Sequence, residues 1–88
     1  MNKFILANQA RLDLKEISRY HNKYSKSYSK ILNKQIISSI KTLLDYSNFG
    51  KPFKQLRETR CGNYRIIYIK KENNIYIIRI VHSSMDFK

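Results

Sequence analysis

The chain has 88 residues, of which 18 are lysine or arginine and 6 are aspartate or glutamate, so its formal net charge is +12. A chain of this length has a thin core at most, and we predict a single domain over residues 1–88. One cysteine excludes an intrachain disulfide and a cysteine-based zinc site, and a reducing cytoplasm is expected. No apolar run approaches the roughly 20 residues that span a bilayer, and the N-terminus lacks the apolar core of a signal peptide. No membrane segment is therefore predicted.

The first half of the chain is predicted to form one strand and two helices. Residues 3–7 (KFILA) predict a short strand, and Asn8 is a suitable N-cap for a helix over residues 9–22. Ser25 is a suitable N-cap for a second helix, in which apolar residues recur at helical spacing up to Tyr46. Because the link between the helices is short, they are expected to form an antiparallel hairpin.

The second half is predicted to be a loop followed by three strands. The loop covers residues 47–53, where a glycine and the only proline end the second helix. Beyond it the apolar period changes to two, which is typical of strands. Gly62 and Asn63 predict a tight type II′ hairpin turn, and a second turn is expected around Glu72. The predicted strands are residues 55–61, 64–70 and 75–82.

These elements give the order β-α-α-β-β-β. We predict an α+β fold in which the helical hairpin packs on one face of a small antiparallel sheet.

The two turns predict a register for the sheet. The first turn places Arg60 opposite Arg65, and a second turn centred on Glu72 places Arg65 opposite Arg79. One face then carries these three arginines together with four isoleucines: Ile67, Ile69, Ile75 and Ile77. The other face carries the residues predicted to pack against the helices: Tyr64, Ile66, Tyr68, Tyr76, Ile78 and Ile80.

The arginine face has two interpretations. It is either a solvated sheet face or a surface for a partner. Like charges on adjacent strands repel, with Glu58 available to offset part of the repulsion. An apolar face that the helices leave bare usually marks a protein partner. An acidic, amphipathic segment would cover the basic and apolar surface together, which also suits the net charge.

Short matches spread over nearly the whole chain point to one family. They are the N-terminal strand, Ala10, Asp13, Leu14, Ile17, Tyr20, Phe49, Gly50, Arg57, Arg60, the strand Tyr64–Tyr68, Ile80–His82, Met85 and Asp86. In this order the chain resembles the RelE/ParE superfamily of toxins from type II toxin–antitoxin systems, and the ParE branch more closely. The resemblance implies a bacterial protein that arrests growth and is neutralised by a cognate acidic antitoxin of the ParD or RelB kind.

The two branches imply different activities. ParE-like proteins imply a DNA gyrase inhibitor that is not an enzyme. RelE-like proteins imply a ribosome-dependent endonuclease that cuts mRNA, and this chain could supply Lys54, Arg60, Arg65, Arg79 and His82 for such a site. After His82 only SSMDFK follows, with no further arginine or tyrosine, and Ser84 and Met85 stand where nucleases of the family tend to carry a basic residue. We therefore favour the gyrase inhibitor. An attenuated toxin and a general nucleic-acid-binding module are further alternatives.

The residues assigned to target or antitoxin binding are Arg57, Arg60, Arg65, Ile67, Ile77, Arg79, His82 and Met85. No metal-ligand spacing, phosphate-binding glycine loop or catalytic triad occurs, so neither a metal nor a cofactor is predicted. Asp13 and Glu16 are expected to pair with basic residues one helical turn away. We expect His82 to make a local hydrogen bond, and His21 to have a structural role.

Overall fold

The protein forms two helices and a five-stranded sheet. The computed structural model describes residues 3–45, 51–53, 56–71 and 74–84. The elements are β1 (Lys3–Leu6), α1 (Asn8–Asn22), α2 (Lys26–Asp45), β2 (Lys51–Phe53), β3 (Leu56–Cys61), β4 (Tyr64–Lys71) and β5 (Asn74–His82). The predicted α+β class and element order are confirmed, with one short strand added. None of the helices in the described part of the chain is long and apolar enough to cross a membrane.

The helix starts follow from local hydrogen bonds. The side-chain oxygen of Ser25 accepts the N–H of Tyr28 at 3.1 Å, so Ser25 caps α2 as predicted. The predicted cap at Asn8 is wrong, since Ala7 occupies that position and Asn8 is already helical. The chain stays extended through Ala7 because its N–H donates to the carbonyl of Ile77 at 2.9 Å, which continues the β1–β5 pairing.

The strand order is β1-β5-β4-β3-β2. The pairs β2–β3, β3–β4 and β4–β5 are antiparallel, but β1 pairs with β5 in parallel, so the sheet is mixed and not wholly antiparallel as expected. Part of the predicted loop, Lys51–Phe53, forms the edge strand β2. An edge strand tolerates Pro52 because one side needs no N–H donor. The predicted helix end at Gly50 lies outside the described residues.

The first hairpin has the predicted register. Arg60 lies opposite Arg65, and Cys61 lies opposite Tyr64. Gly62 has a φ of +59°, a conformation that glycine adopts without steric cost.

The second hairpin differs from the prediction. Arg65 lies opposite Val81, not Arg79, and Arg79 lies opposite Ile67. The register then shifts by one residue, so that Tyr68 pairs with Ile77. In β5 the extra residue is Ile78, which has no counterpart on β4.

This β-bulge changes which side chains reach the core. Beyond it, Ile75 and Ile77 lie on the same face as Tyr68, buried against the helices, whereas the prediction placed them on the arginine face. Tyr76 pairs with Ile69 on the opposite face, so its predicted core position is also wrong. The core residues are Ala10 and Ile17 of α1, Leu32, Ile36, Ile40 and Leu43 of α2, and Cys61, Tyr64, Ile66, Tyr68, Ile75, Ile77 and Ile80 of the sheet.

Candidate functional site

A groove opens where β1 ends and β5 continues. β1 stops at Leu6, opposite Ile77, so among the described residues the last part of β5 has α1 and no strand beside it on that side. The groove between α1 and β5 has a volume of about 320 Å³. Its lining residues are Asp13, Glu16, Ile17, Tyr20, Tyr64, Arg79, Ile80, Val81 and His82.

A buried carboxylate ties α1 to β5 at the floor of this groove. Asp13 accepts two hydrogen bonds from the guanidinium of Arg79, at 2.8 and 3.2 Å, and a third from the backbone N–H of Ile80 at 2.9 Å. The amide of Gln9 donates a fourth at 3.2 Å. The hydrogen bond to Asp13 raises the pKa of Arg79 further above its ordinary value, although burial acts in the opposite direction. Asp13 therefore pairs with a residue on the last strand and not one helical turn away as predicted, whereas Glu16 pairs with Arg19 one turn away at 3.7 Å, as predicted.

Tyrosine and histidine rings line the other end of the groove. The Nε2 atom of His21 and the hydroxyl of Tyr64 are 2.9 Å apart, which joins α1 to β4. Burial raises the pKa of Tyr64, and the nearby Tyr28 and Tyr20 raise it further. The ring of Tyr64 also makes an edge contact with His82, with centroids 5.5 Å apart.

His82 makes the local hydrogen bonds that were predicted. Its Nδ1 atom accepts the backbone N–H of Ser84 at 3.2 Å and lies 2.8 Å from the hydroxyl of the same residue. An accepting Nδ1 places the proton of the neutral ring on Nε2. The structural role expected for His21 agrees with its bond to Tyr64.

A second ion pair lies on the sheet, across β3 and β4. Arg65 donates to Glu58 at 2.6 Å, and the two side chains are only 12% and 15% exposed. Glu58 thus offsets the arginine charges, as the sequence suggested, through Arg65. Arg60, directly opposite Arg65, is exposed, and no described carboxylate pairs with it.

Residues 4–87 of the chain match the model of one protein family, the ParE toxin of the type II toxin–antitoxin system parDE. The chain belongs to this family. A solved structure of the chromosomal ParDE toxin–antitoxin system from P. aeruginosa has a similar fold, with a TM-score of 0.80 at 18% sequence identity, covering 93% of this chain and 95% of that chain. No curated protein sequence matches the chain. This protein is thus a ParE-family toxin, and the solved structure supports its fold.

The residues assigned to binding in this toxin are not all brought together on one surface, although Arg79 and His82 line the same groove. Ile67 and Ile77 are fully buried, so neither is exposed to a partner. The bulge turns Ile77 into the helix-covered core, so its predicted face is wrong, whereas Ile67 stays on the face of Arg65 as predicted but is buried there. Arg60 and His82 are exposed and Arg57 is half-buried. Met85 and Lys54 lie outside the described residues.

Asp13 is the residue whose role in the toxin the sequence reasoning missed. A signal was available, because Asp13 lies three residues after Ala10 and four before Ile17, which are both buried. This spacing puts all three on one helix face. An aspartate on the apolar face of a helix requires a partner, since a buried charge is stable only when paired.

Among the described residues, no three His, Cys, Asp or Glu side chains form a group that could hold a metal ion.

The buried hydroxyl of Tyr64 gives a test of the packing at this end of the groove. A raised phenol pKa means that the folded toxin holds this proton more tightly than the unfolded chain. Its contribution to stability is therefore complete below pH 10.0, the ordinary phenol value, and is lost as the pH rises through the higher folded-state pKa. We expect Tyr64→Phe to lower the free energy of unfolding by about 1 kcal/mol at neutral pH and to lose less stability than the native toxin at alkaline pH.

Urea denaturation from about pH 8 to about pH 11 measures this difference. The exposed Tyr24, changed to Phe, is the control for losing one phenol. If the free energy of unfolding falls equally with pH for the native toxin and the Tyr64→Phe variant, the expectation is contradicted.

Proposed function

We propose that this ParE-family toxin acts by binding DNA gyrase and not by cutting RNA, and that a cognate acidic antitoxin holds it inactive. The observation that carries the proposal is the internal pairing of Arg65 with Glu58 and of Arg79 with Asp13. Two of the three sheet arginines thereby satisfy carboxylates of the toxin itself.

The nuclease alternative needs groups that activate a ribose hydroxyl and stabilise a phosphate transition state at one point. Arg65 and Arg79 already donate to carboxylates of the toxin, and breaking either pair to bind a phosphate would leave a costly unpaired charge. His82 lies opposite Tyr64 in the sheet. Arg65, the residue after Tyr64, lies opposite Arg60. Since neighbouring residues of a strand point to opposite faces, His82 lies on the other face of the sheet from Arg60 and Arg65, and of the three arginines only Arg79 lines the groove with it. This arrangement favours a binding protein over a nuclease.

An acidic antitoxin is supported by charge and by shape. The formal charge of +12 attracts an acidic segment over distances comparable to the Debye length. Of the residues assigned to binding, Arg60 and His82, which are exposed, and Arg57, which is half-buried, are retained as antitoxin or target contacts. Arg65 and Arg79 are not, because they pair with Glu58 and Asp13. The groove beside Tyr20 and His82 offers a concave surface for such a segment.

The function is tested by adding purified toxin to two assays. We expect inhibition of gyrase-catalysed supercoiling and no cleavage of mRNA on translating ribosomes. Ribosome-dependent cleavage that disappears in an Arg60→Ala variant would overturn the proposal and support the RelE-like alternative. Addition of the purified cognate antitoxin should restore supercoiling.

Arg60 provides a test of antitoxin recognition. We expect Arg60→Glu to weaken antitoxin binding several-fold at low salt, mainly through slower association, because charges at the rim of an interface steer encounter. Lys70→Glu is the matched control, since it makes the same change of charge at an exposed position near the far end of β4. Surface plasmon resonance at low and high salt measures the rates. Equal effects of the two variants would show that Arg60 acts only through net charge.

A further inference from the structure

The tip of the helical hairpin combines positive charge with exposed tyrosines. From Ile17 to Leu44 the chain contains no acidic residue. The same stretch contains six basic residues, all exposed: Arg19, Lys23, Lys26, Lys30, Lys34 and Lys41. A charge distribution of one sign over α2 and the end of α1 attracts an anionic partner.

Three tyrosines occur among these basic residues at the tip. Tyr20, Tyr24 and Tyr28 are 56%, 75% and 49% exposed. Their rings form a connected surface, because Tyr20 lies 5.5 Å from Tyr24, and His21 lies 5.1 Å from both Tyr20 and Tyr28, measured between ring centroids. Aromatic rings this exposed add little to the core, so their position requires another explanation.

We propose that this surface, the tyrosine tip (Tyr20, Tyr24 and Tyr28 with Lys23 and Lys26), binds single-stranded nucleic acid. Every base has a π face that stacks on an aromatic ring, and phosphates between bases pair with nearby lysines. Basic residues alternate with the rings along the chain, in the order Arg19, Tyr20, Lys23, Tyr24, Lys26, Tyr28 and Lys30. A duplex fits less well, since its bases are stacked on each other and do not reach the rings.

An acidic peptide is the competing occupant. It would satisfy the lysines equally, but it would not require exposed phenol rings beside each of them. The tyrosine tip is also separate from the Asp13–Arg79 pair, although Tyr20 lines the groove as well. Nucleic-acid binding goes beyond gyrase inhibition and does not depend on it, because supercoiling assays and binding assays report on the two independently.

The first test is fluorescence anisotropy with a short labelled single-stranded DNA of mixed sequence and the full chain. Tyr24→Leu removes the most exposed ring and keeps an apolar side chain. We expect it to weaken binding about tenfold, and Tyr24→Phe to bind like the native toxin. Leu12→Ala, at an exposed apolar position earlier on α1, is the control for a general loss of apolar surface. RNA of the same sequence shows whether the sugar is distinguished, and the matching duplex should bind more weakly.

The second test separates local from overall charge. Lys23→Gln with Lys26→Gln removes two charges at the tyrosine tip, and Lys70→Gln with Lys71→Gln removes two at exposed positions of β4. We expect the first pair to reduce the slope of log affinity against log salt by about 1.4, and the second pair to change it little.

Three outcomes would overturn the proposal. The first is equal weakening by the two lysine pairs, which indicates attraction by net charge alone. The second is unchanged DNA binding by Tyr24→Leu. The third is loss of binding to an acidic peptide probe in the tyrosine variant while DNA binding persists, which assigns the tyrosine tip to a protein partner. Circular dichroism confirms that each variant is folded.

Discussion

Replacing Asp13 with alanine is expected to lower the free energy of unfolding by about 3 kcal/mol. The change removes the carboxylate that accepts two hydrogen bonds from Arg79 and one from the N–H of Ile80. A partly buried guanidinium and a buried backbone donor then lose their partner, and both are costly in a low-dielectric environment. Because the Arg79 side chain is 29% exposed, water recovers part of this cost.

Two companion variants show whether the loss comes from the unpaired groups. Asp13→Asn retains one acceptor for Ile80, so it should cost less than the alanine variant. Combining Asp13→Leu with Arg79→Met removes both charges and fills similar volume, and we expect its stability to exceed that of the alanine variant. Urea denaturation followed by circular dichroism gives all three values. A stability for Asp13→Ala within about 0.5 kcal/mol of the native value, as at an ordinary surface position, would contradict the buried pair.

Replacing Ile77 with alanine is expected to cost about 3 kcal/mol, because a fully buried isoleucine leaves a cavity in the core. The neighbouring Ile78 undergoes the same chemical change but is only partly buried. Ile78→Ala should therefore cost about 1 kcal/mol. This contrast tests the bulge. In a regular strand without the bulge, side chains would alternate as predicted from the sequence, and Ile78, not Ile77, would lie in the core.

Thermal and urea denaturation of the two alanine variants measure the contrast. Ile36→Ala, at another fully buried position on α2, sets the scale for a core substitution. A greater loss for Ile78→Ala than for Ile77→Ala would show that the strand is regular and that the predicted faces are correct.

Local signals predicted the helices and the first hairpin well. The helical period and Ser25 located α2, and Gly62 with Asn63 set the pairing of Arg60 with Arg65. In each case the decisive contacts lie within a few residues of each other. Sequence patterns report such contacts directly.

The remaining errors involve contacts between distant parts of the chain. The parallel pairing of β1 with β5 is a tertiary contact that no short pattern encodes. One unpaired residue, Ile78, reversed the faces of Ile75 and Ile77, because strand alternation has a period of two. Asp13 looked like an ordinary helix-surface carboxylate because its partner, Arg79, lies 66 residues away.

The family resemblance predicted the toxin class, and the match of the ParE family model over residues 4–87 confirms it. The binding residues were harder to place. Their assignment required the register of β5, and it also required knowing which arginines satisfy carboxylates inside the domain.

The carboxylate of Asp13 also has a consequence for how copies of this toxin behave toward one another. An uncovered strand end presents backbone donors and acceptors that another chain can pair with, and native proteins block such ends to prevent aggregation. Here the N–H of Ile80, beyond the end of β1, already donates a hydrogen bond to the carboxylate of Asp13 on α1. By filling that position, Asp13 opposes edge-to-edge self-association at the strand end where β5 would otherwise be open.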